Sequence, residues 1–194
     1  MASDAAKLSA STLEAYVAPI RAGDVHAFGQ VYHALARDLI EFGAGLLGDP
    51  MSASDIVADI FVELWERRAV WSPSGGVRAY LFTAVRHRAL NVLRNARRHE
   101  RFHRTMRGDD GLPGMSAPPV PADRSLMLAD EVEAIFRTIA QFPETRRTVM
   151  LLHWRNGLSV AEIVDVMGIT QNAVYLHLKR GMQALKQLLP RQPE

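Results

Sequence analysis

Between Gly108 and Pro121 the chain carries Gly108, Gly111, Pro113, Gly114, Pro118, Pro119 and Pro121, with few large apolar residues among them. Such a stretch cannot bury enough surface to offset the entropy of ordering it, so it reads as a flexible linker. It divides the 194 residues into two parts, each the size of a small domain. On both sides apolar residues recur three and four apart, the spacing of one helix face. Before the linker, Phe28, Val31, Tyr32, Leu35, Leu39, Phe42 and Leu46 mark a helix from about Asp24, stopped by Gly48-Asp49-Pro50. Ser52 and Asp55 resemble a capping box opening a second helix, striped by Ile56, Val57, Ile60, Phe61, Leu64 and Trp65. Turn residues at 71–76 precede a third, long helix with Leu81, Val85, Ala89, Val92 and Ala96 on one side. After the linker, helical segments are expected at about 126–141, 143–155, 160–167 and 171–189. Alternation of the strand type is nowhere sustained. The expected fold is all-α, two small helical domains joined by a flexible linker.

Several function classes lose their residues at once. The chain has no cysteine, which excludes disulfides, thiolate zinc sites and cysteine nucleophiles, and fits a reducing compartment. No apolar run approaches the roughly 20 residues that span a bilayer. The opening MASDAAKLSAST has neither the basic start nor the apolar stretch of a secretory signal, and reads as a loose arm. His99 and His103 are four apart, yet no third ligand stands nearby and the surrounding arginines repel a divalent cation, so no metal is expected. Gly75-Gly76 lacks the lysine and spacing of a phosphate-binding loop. With no nucleophile-base constellation either, the chain is not expected to be an enzyme or to need a cofactor.

The sharpest local signal runs from Leu158 to Val174. Ser159 and Glu162 have capping-box spacing, Ile163 and Met167 face inward, and Gly168 supplies a left-handed turn. Thr170 then caps a second helix whose Val174 packs back on the first. This is the helix-turn-helix pattern, in which the second helix enters the major groove of DNA. Gln171, Asn172, Tyr175, Lys179 and Arg180 fall on or near its outward side. Amides there can read adenine edges, and cations can hold phosphates or guanine. A purely structural helical hairpin is the alternative; cap, glycine and inward residues all agreeing in register favours DNA contact.

Net charge is only +2, but its distribution is uneven. Arg86, Arg88, Arg94, Arg97, Arg98, Arg101, Arg104 and Arg107 follow one another with Glu100 as the single acid. A solvated face ordinarily mixes signs; a run of one sign suits a phosphate backbone. Trp71 stands just before this rod. It could stack on an unpaired base or belong to the core, and composition leaves both readings open.

These residues resemble a known family. Asp55-Ile56-Val57-Ala58-Asp59-Ile60-Phe61-Val62-Glu63-Leu64-Trp65, then Arg78-Ala79-Tyr80-Leu81-Phe82 and the basic rod, are similar to region two of the sigma-70 proteins. Phe142-Pro143-Glu144-Thr145-Arg146-Arg147, Leu151-Leu152 and the helix-turn-helix resemble region four. Nothing of comparable size lies between, as in the extracytoplasmic-function (ECF) group, whose members lack the middle domain. The resemblance implies a flexible arm at 1–19, region two as a three-to-four-helix bundle at 20–105, a linker at 106–127 and region four at 128–190. It implies a sigma factor that directs core RNA polymerase to promoters and assists strand opening in the cytoplasm. Asp55, Asp59, Glu63 and Trp65 would bind core polymerase at a coiled coil of its β′ subunit, with β as the other large partner. Trp71, Arg86, Asn91, Arg94, Arg97 and Arg98 would contact the −10 element, and Thr170, Gln171, Asn172, Tyr175, Lys179 and Arg180 the −35 element. An anti-sigma protein is a further partner the resemblance admits; membrane insertion is not implied. The chain departs from the family pattern at Ala58, where glutamine is common, and at Tyr175, Leu176 and His177, where arginine and serine are common. The competing reading is a stand-alone helix-turn-helix regulator; a small helical hydrolase is a weaker one, lacking any His/Asp metal cluster.

Overall fold

The computed structural model describes the backbone of residues 9–107 and 135–188, and the side chains of all of these except Arg97, residues 99–107 and Leu188. The chain divides into two units, Met1–Ser116 and Ala117–Glu194. Among the described residues every regular element is helical. None of these helices is long and apolar enough to cross a membrane.

In the first unit, α1 (Ala10–Ala15) and α2 (Val17–Arg21) lead into α3 (Val25–Leu47), α4 (Pro50–Glu66), a 3-10 turn (Arg68–Val70) and α5 (Val77–Arg107). The stripes predicted from the 3.6-residue period meet here: Val31, Leu35, Leu39, Phe42 and Leu46 of α3, Ile60, Phe61 and Leu64 of α4, and Leu81, Phe82, Val85 and Ala89 of α5 are all buried. Burying one such large side chain contributes about 1.5–3 kcal/mol, whereas an exposed ion pair contributes under about 1 kcal/mol. Packing of three stripes, not surface charge, therefore holds this bundle.

The helix ends show two departures from expectation. Asp49, not Ser52, caps α4: its carboxylate accepts from the backbone N–H of Met51 (3.2 Å) and Ser52 (3.1 Å) and from the Ser52 hydroxyl (2.5 Å). Those hydrogen bonds, the hydroxyl's first, hold the Asp49 carboxyl below its ordinary pKa. Pro50, which ends the helix before it, also begins the next one, since proline gives up only an N–H that a first turn leaves unused. The second departure is the arm at 1–19. From Ala10 it is helical, with Ser9 as N-cap and with Leu13 2% and Ile20 0% exposed. These two side chains tie α1 and α2 to the bundle, so a loose arm is ruled out from Ser9 onward; its first eight residues lie outside the described ones.

The second unit comprises α6 (helical over 135–140), α7 (Glu144–Met150) running on as a π turn (Leu151–Arg155), α8 (Val160–Met167) and α9 (Gln171–Leu188). Ile139, Met150, Leu151 and Leu185 form its core, with Ile135, Phe136, Phe142 and Leu178 packed against them. Helix α9 approaches α7 at Gly181, where a Cβ would collide with Met150 Sδ and lie 2.8 Å from its Cε. The linker beyond Arg107 and the predicted helix start near 126 lie outside the described residues.

Candidate nucleic-acid interface

The helix-turn-helix is built as its sequence dictates. The Ser159 hydroxyl accepts from Glu162 N (3.2 Å), and Glu162 Oε2 accepts from Ser159 N (2.8 Å), so two orphan donors of α8 are satisfied reciprocally. Gly168 sits at φ +64°, a left-handed conformation open to a residue without a Cβ, and its N–H closes the helix on Val164 O at 2.8 Å. Thr170 Oγ1 accepts from Ala173 N (3.3 Å) to start α9, and Val174 is fully buried behind it. With that register fixed, Gln171, Asn172, Tyr175, Lys179 and Arg180 are all exposed. Gln171 Nε2 donates to the Tyr175 hydroxyl at 3.4 Å, one turn away. Thr170 is exposed too; its hydroxyl accepts as the cap and keeps its own O–H to donate.

His177 lies on the flank of α9 and is half-buried. Burial first, then the guanidinium charges of Arg146 and Arg180, push its pKa below the ordinary histidine value, so the uncharged ring is favoured. Arg146 of α7 thus belongs to the charge field beside the outward helix. Its role is tertiary, and only its place in the region-four motif drew attention to it in the sequence.

In the first unit the cations divide. His87, Asn91, Arg94 and Arg98 are exposed and succeed one another at +4, +3 and +4, which puts them along one side of α5. Arg86 is half-buried and off that stripe by its position, and the side chain of Arg97 lies outside the described residues, as do those of Arg101, Arg104 and Arg107. The stripe runs toward the N-terminal part of α5, where His87 and Tyr80 join Ile60 of α4, Arg67 just after it and Trp71 around a half-open cleft of about 370 Å³. Tyr80 and His87 were not singled out for contact from the sequence, though the +4, +3, +4 spacing held the signal for His87.

Arg88 belongs elsewhere. Its guanidinium pairs with Glu63 Oε2 and lies 3.8 Å from Asp59 Oδ2, while Arg67 reaches Glu63 from the other side at 3.3 Å. A residue counted with the phosphate-facing rod is therefore engaged on the acidic face of α4. Asp59 is 75% exposed at its side chain and the pair is open to water, so this pairing adds little to stability. What it does is orient the two carboxylates. Asp55, Asp59 and Glu63 do share one side of α4, but Trp65 does not join them. Its ring packs on Phe28 of α3 (centroids 5.0 Å apart), and Arg68 lies over it at 4.5 Å.

Trp71 also departs from the role of an exposed platform. It is 4% exposed, with Tyr80 edge-on at 6.1 Å, and its buried Nε1 has no hydrogen-bond partner. The ring is a wall of the cleft and part of the core, because the 3-10 turn before it directs it inward. Among the described residues no group of three metal-ligating side chains exists; the His99/His103 pair lies outside the described side chains.

Comparison with known proteins adds the following. Residues 31–99 match the family model for sigma-70 region 2, and residues 133–185 match that for sigma-70 region 4. The chain is 28% identical over 162 residues to the ECF RNA polymerase sigma factor SigL of Mycobacterium tuberculosis, covering 80% of this chain and 85% of that one. It is 25% identical over 169 residues to the probable RNA polymerase sigma factor RfaY of Xanthomonas campestris pv. campestris, covering 85% of this chain but only 41% of that longer relative. Its fold is similar to that of the sigma factor RpoE from Bartonella quintana, solved in complex with the anti-sigma factor NepR. The TM-score there is 0.64 at 19% identity, over 86% of this chain and 98% of that one.

Proposed function

Since the chain belongs to the sigma-70 family and is a sigma factor of the ECF type, we propose that its two units divide promoter recognition between duplex capture and strand opening. Exposed α9 reads the −35 element as duplex: Gln171 and Asn172 address base edges, and Lys179 and Arg180 hold phosphates. The stripe Asn91, Arg94 and Arg98 holds the non-template strand of the −10 element, with the cleft beside Trp71 receiving an unstacked base. Asp55, Asp59 and Glu63, set in place by Arg88, dock on a basic coiled coil of the polymerase β′ subunit; Trp65 supports that helix from behind. The protein works in the cytoplasm, where core polymerase and promoter DNA are, and contributes no catalytic group of its own. An anti-sigma protein, of the kind seen with RpoE, is a further partner.

The observation that carries this reading is the separation of the two surfaces. One is the outward side of a helix-turn-helix, and the other is a basic stripe ending in a cleft. They lie in different units, each within a matched region. Promoters are found by mixing the protein with core polymerase and genomic DNA and sequencing transcript starts. On such a promoter, specific footprints appear only with core polymerase. Alanine at Gln171, Asn172 and Lys179 weakens duplex capture by about 1–3 kcal/mol per lost base contact and leaves binding to a pre-opened −10 bubble intact. Alanine at Asn91 and Arg94 spares duplex capture and lowers permanganate reactivity of the −10 region. Equal damage to both steps by both sets would refute the division.

A further inference from the structure

The connection between α4 and α5 is held at both ends by residues from outside it. At its start, Arg21 Nε of α2 donates to the Ala69 carbonyl at 3.3 Å. At its end, Glu14 Oε1 of α1 accepts from the Val77 N–H at 2.6 Å, across 63 residues of sequence. Val77 is the first residue of α5, and the residues before it are Gly75 and Gly76, which have no side chain to cap with. Val77 is buried, and an N–H at a helix start that is shielded from water needs an acceptor, which α1 supplies. Gly76 makes room for this. A Cβ there would stand 3.0 Å from the same Glu14 oxygen, and its φ of +92° is strained for any residue that has a Cβ. The two clamping side chains are carried on a rigid mount, because Leu13 and Ile20 are buried in the bundle.

We propose that α1 and α2 form a brace that presets the 68–77 connection for strand capture, with Glu14 as its positioning residue. The inference rests on the reading that this connection and the adjoining stripe receive the opened −10 strand. A turn carrying two adjacent glycines with φ of +72° and +92° has many alternatives when unfixed. Fixing both ends removes that freedom before DNA arrives, so strand capture does not bear its cost. The brace and the connection it holds both belong to the first unit, whereas α9, which reads the −35 element, belongs to the second, so duplex capture at the −35 element is indifferent to it.

The test uses the full chain with core polymerase on a promoter mapped by transcript starts. Glu14→Ala leaves duplex capture within about twofold of the parent and lowers open-complex formation about fivefold, the factor that one lost helix cap represents. Glu14→Gln, which keeps an acceptor oxygen facing Val77, recovers most of that loss. Gly76→Ala displaces the carboxylate, so adding Glu14→Ala to it lowers opening no further; the effects are not additive. Circular-dichroism melting accompanies each variant. Parent-like opening by Glu14→Ala overturns the brace, and so does a fall in melting temperature with capture and opening reduced in equal proportion. If Asn91 and Arg94 substitutions abolish opening while Glu14→Ala does not, the brace alone fails. If neither affects opening, the assignment of the strand-capture surface fails with it.

Discussion

Replacing Trp71 distinguishes a core residue from a base-stacking one. A buried tryptophan removes about 150–250 Å² from water, which at about 25 cal/mol per Å² is about 4–6 kcal/mol. Alanine retains a little of this and leaves a cavity that the surroundings only partly fill, so Trp71→Ala costs about 3–5 kcal/mol. That is a large share of the 5–15 kcal/mol typical of a whole domain. For a unit of about 100 residues each kcal/mol moves the melting midpoint by about 4–8 °C, so the first transition falls by at least about 12 °C. Trp71→Phe behaves differently. It gives up part of the apolar area but also removes an indole N–H that is buried without a partner, and an unsatisfied buried donor costs about 1–3 kcal/mol. The two terms offset, and the phenylalanine variant melts within a few degrees of the parent and still opens promoters. Thermal melting followed by circular dichroism, alongside permanganate footprinting at a temperature where both variants are folded, makes the comparison. A Trp71→Ala protein that melts like the parent yet fails to open DNA would refute the burial argument and return the ring to a stacking role.

Asp59→Lys weakens assembly with core polymerase, because like charges facing each other across an interface cost several kcal/mol. The melting midpoint barely moves, since Asp59 is 75% exposed; a pull-down titration with unchanged affinity would remove the α4 face from the docking surface. Gly181→Ala places a methyl against fully buried Met150 and destabilises the second unit by about 1–3 kcal/mol, read as an earlier urea midpoint for that unit; an unchanged midpoint would mean that Met150 moves aside freely.

The sequence was most legible where structure is local. Ser159, Glu162, Gly168 and Thr170 occupy the cap and turn positions that their chemistry demands, and the apolar stripes of α3, α4 and α5 point inward as their period requires, except that Tyr32 of α3 and Val92 and Ala96 of α5 are exposed. Misreadings gather where a residue serves two roles or finds a distant partner. Pro50 reads in the sequence only as a stop, whereas with Asp49 as N-cap it also starts α4. Helices of five and six residues, such as α2 and α1, are too short to show a period, so residues 9–19 passed for a loose arm. Arg88 looked like its neighbours because nothing in a run of arginines reveals that Glu63, twenty-five positions earlier, lies across the groove. Trp71 illustrates the general limit: residue type states what a side chain can do, while burial, decided by the 3-10 turn before it, states what it does.

The π turn at Leu151–Arg155 makes the chain sensitive to length at one place. There the Asn156 N–H bonds to Leu151 O at 3.0 Å and the Leu158 N–H to Leu152 O at 2.9 Å, so the turn holds more chain than an α-helix would. Loss of a single codon here would let the ladder close as α-helix. At about 100° of rotation per residue, Asn156 and Leu158, each 1% exposed, would swing out of the core and α8 would start facing the wrong way. A change in the number of residues between Met150 and Ser159 therefore costs the placement of α8, whereas a substitution there does not shift its register.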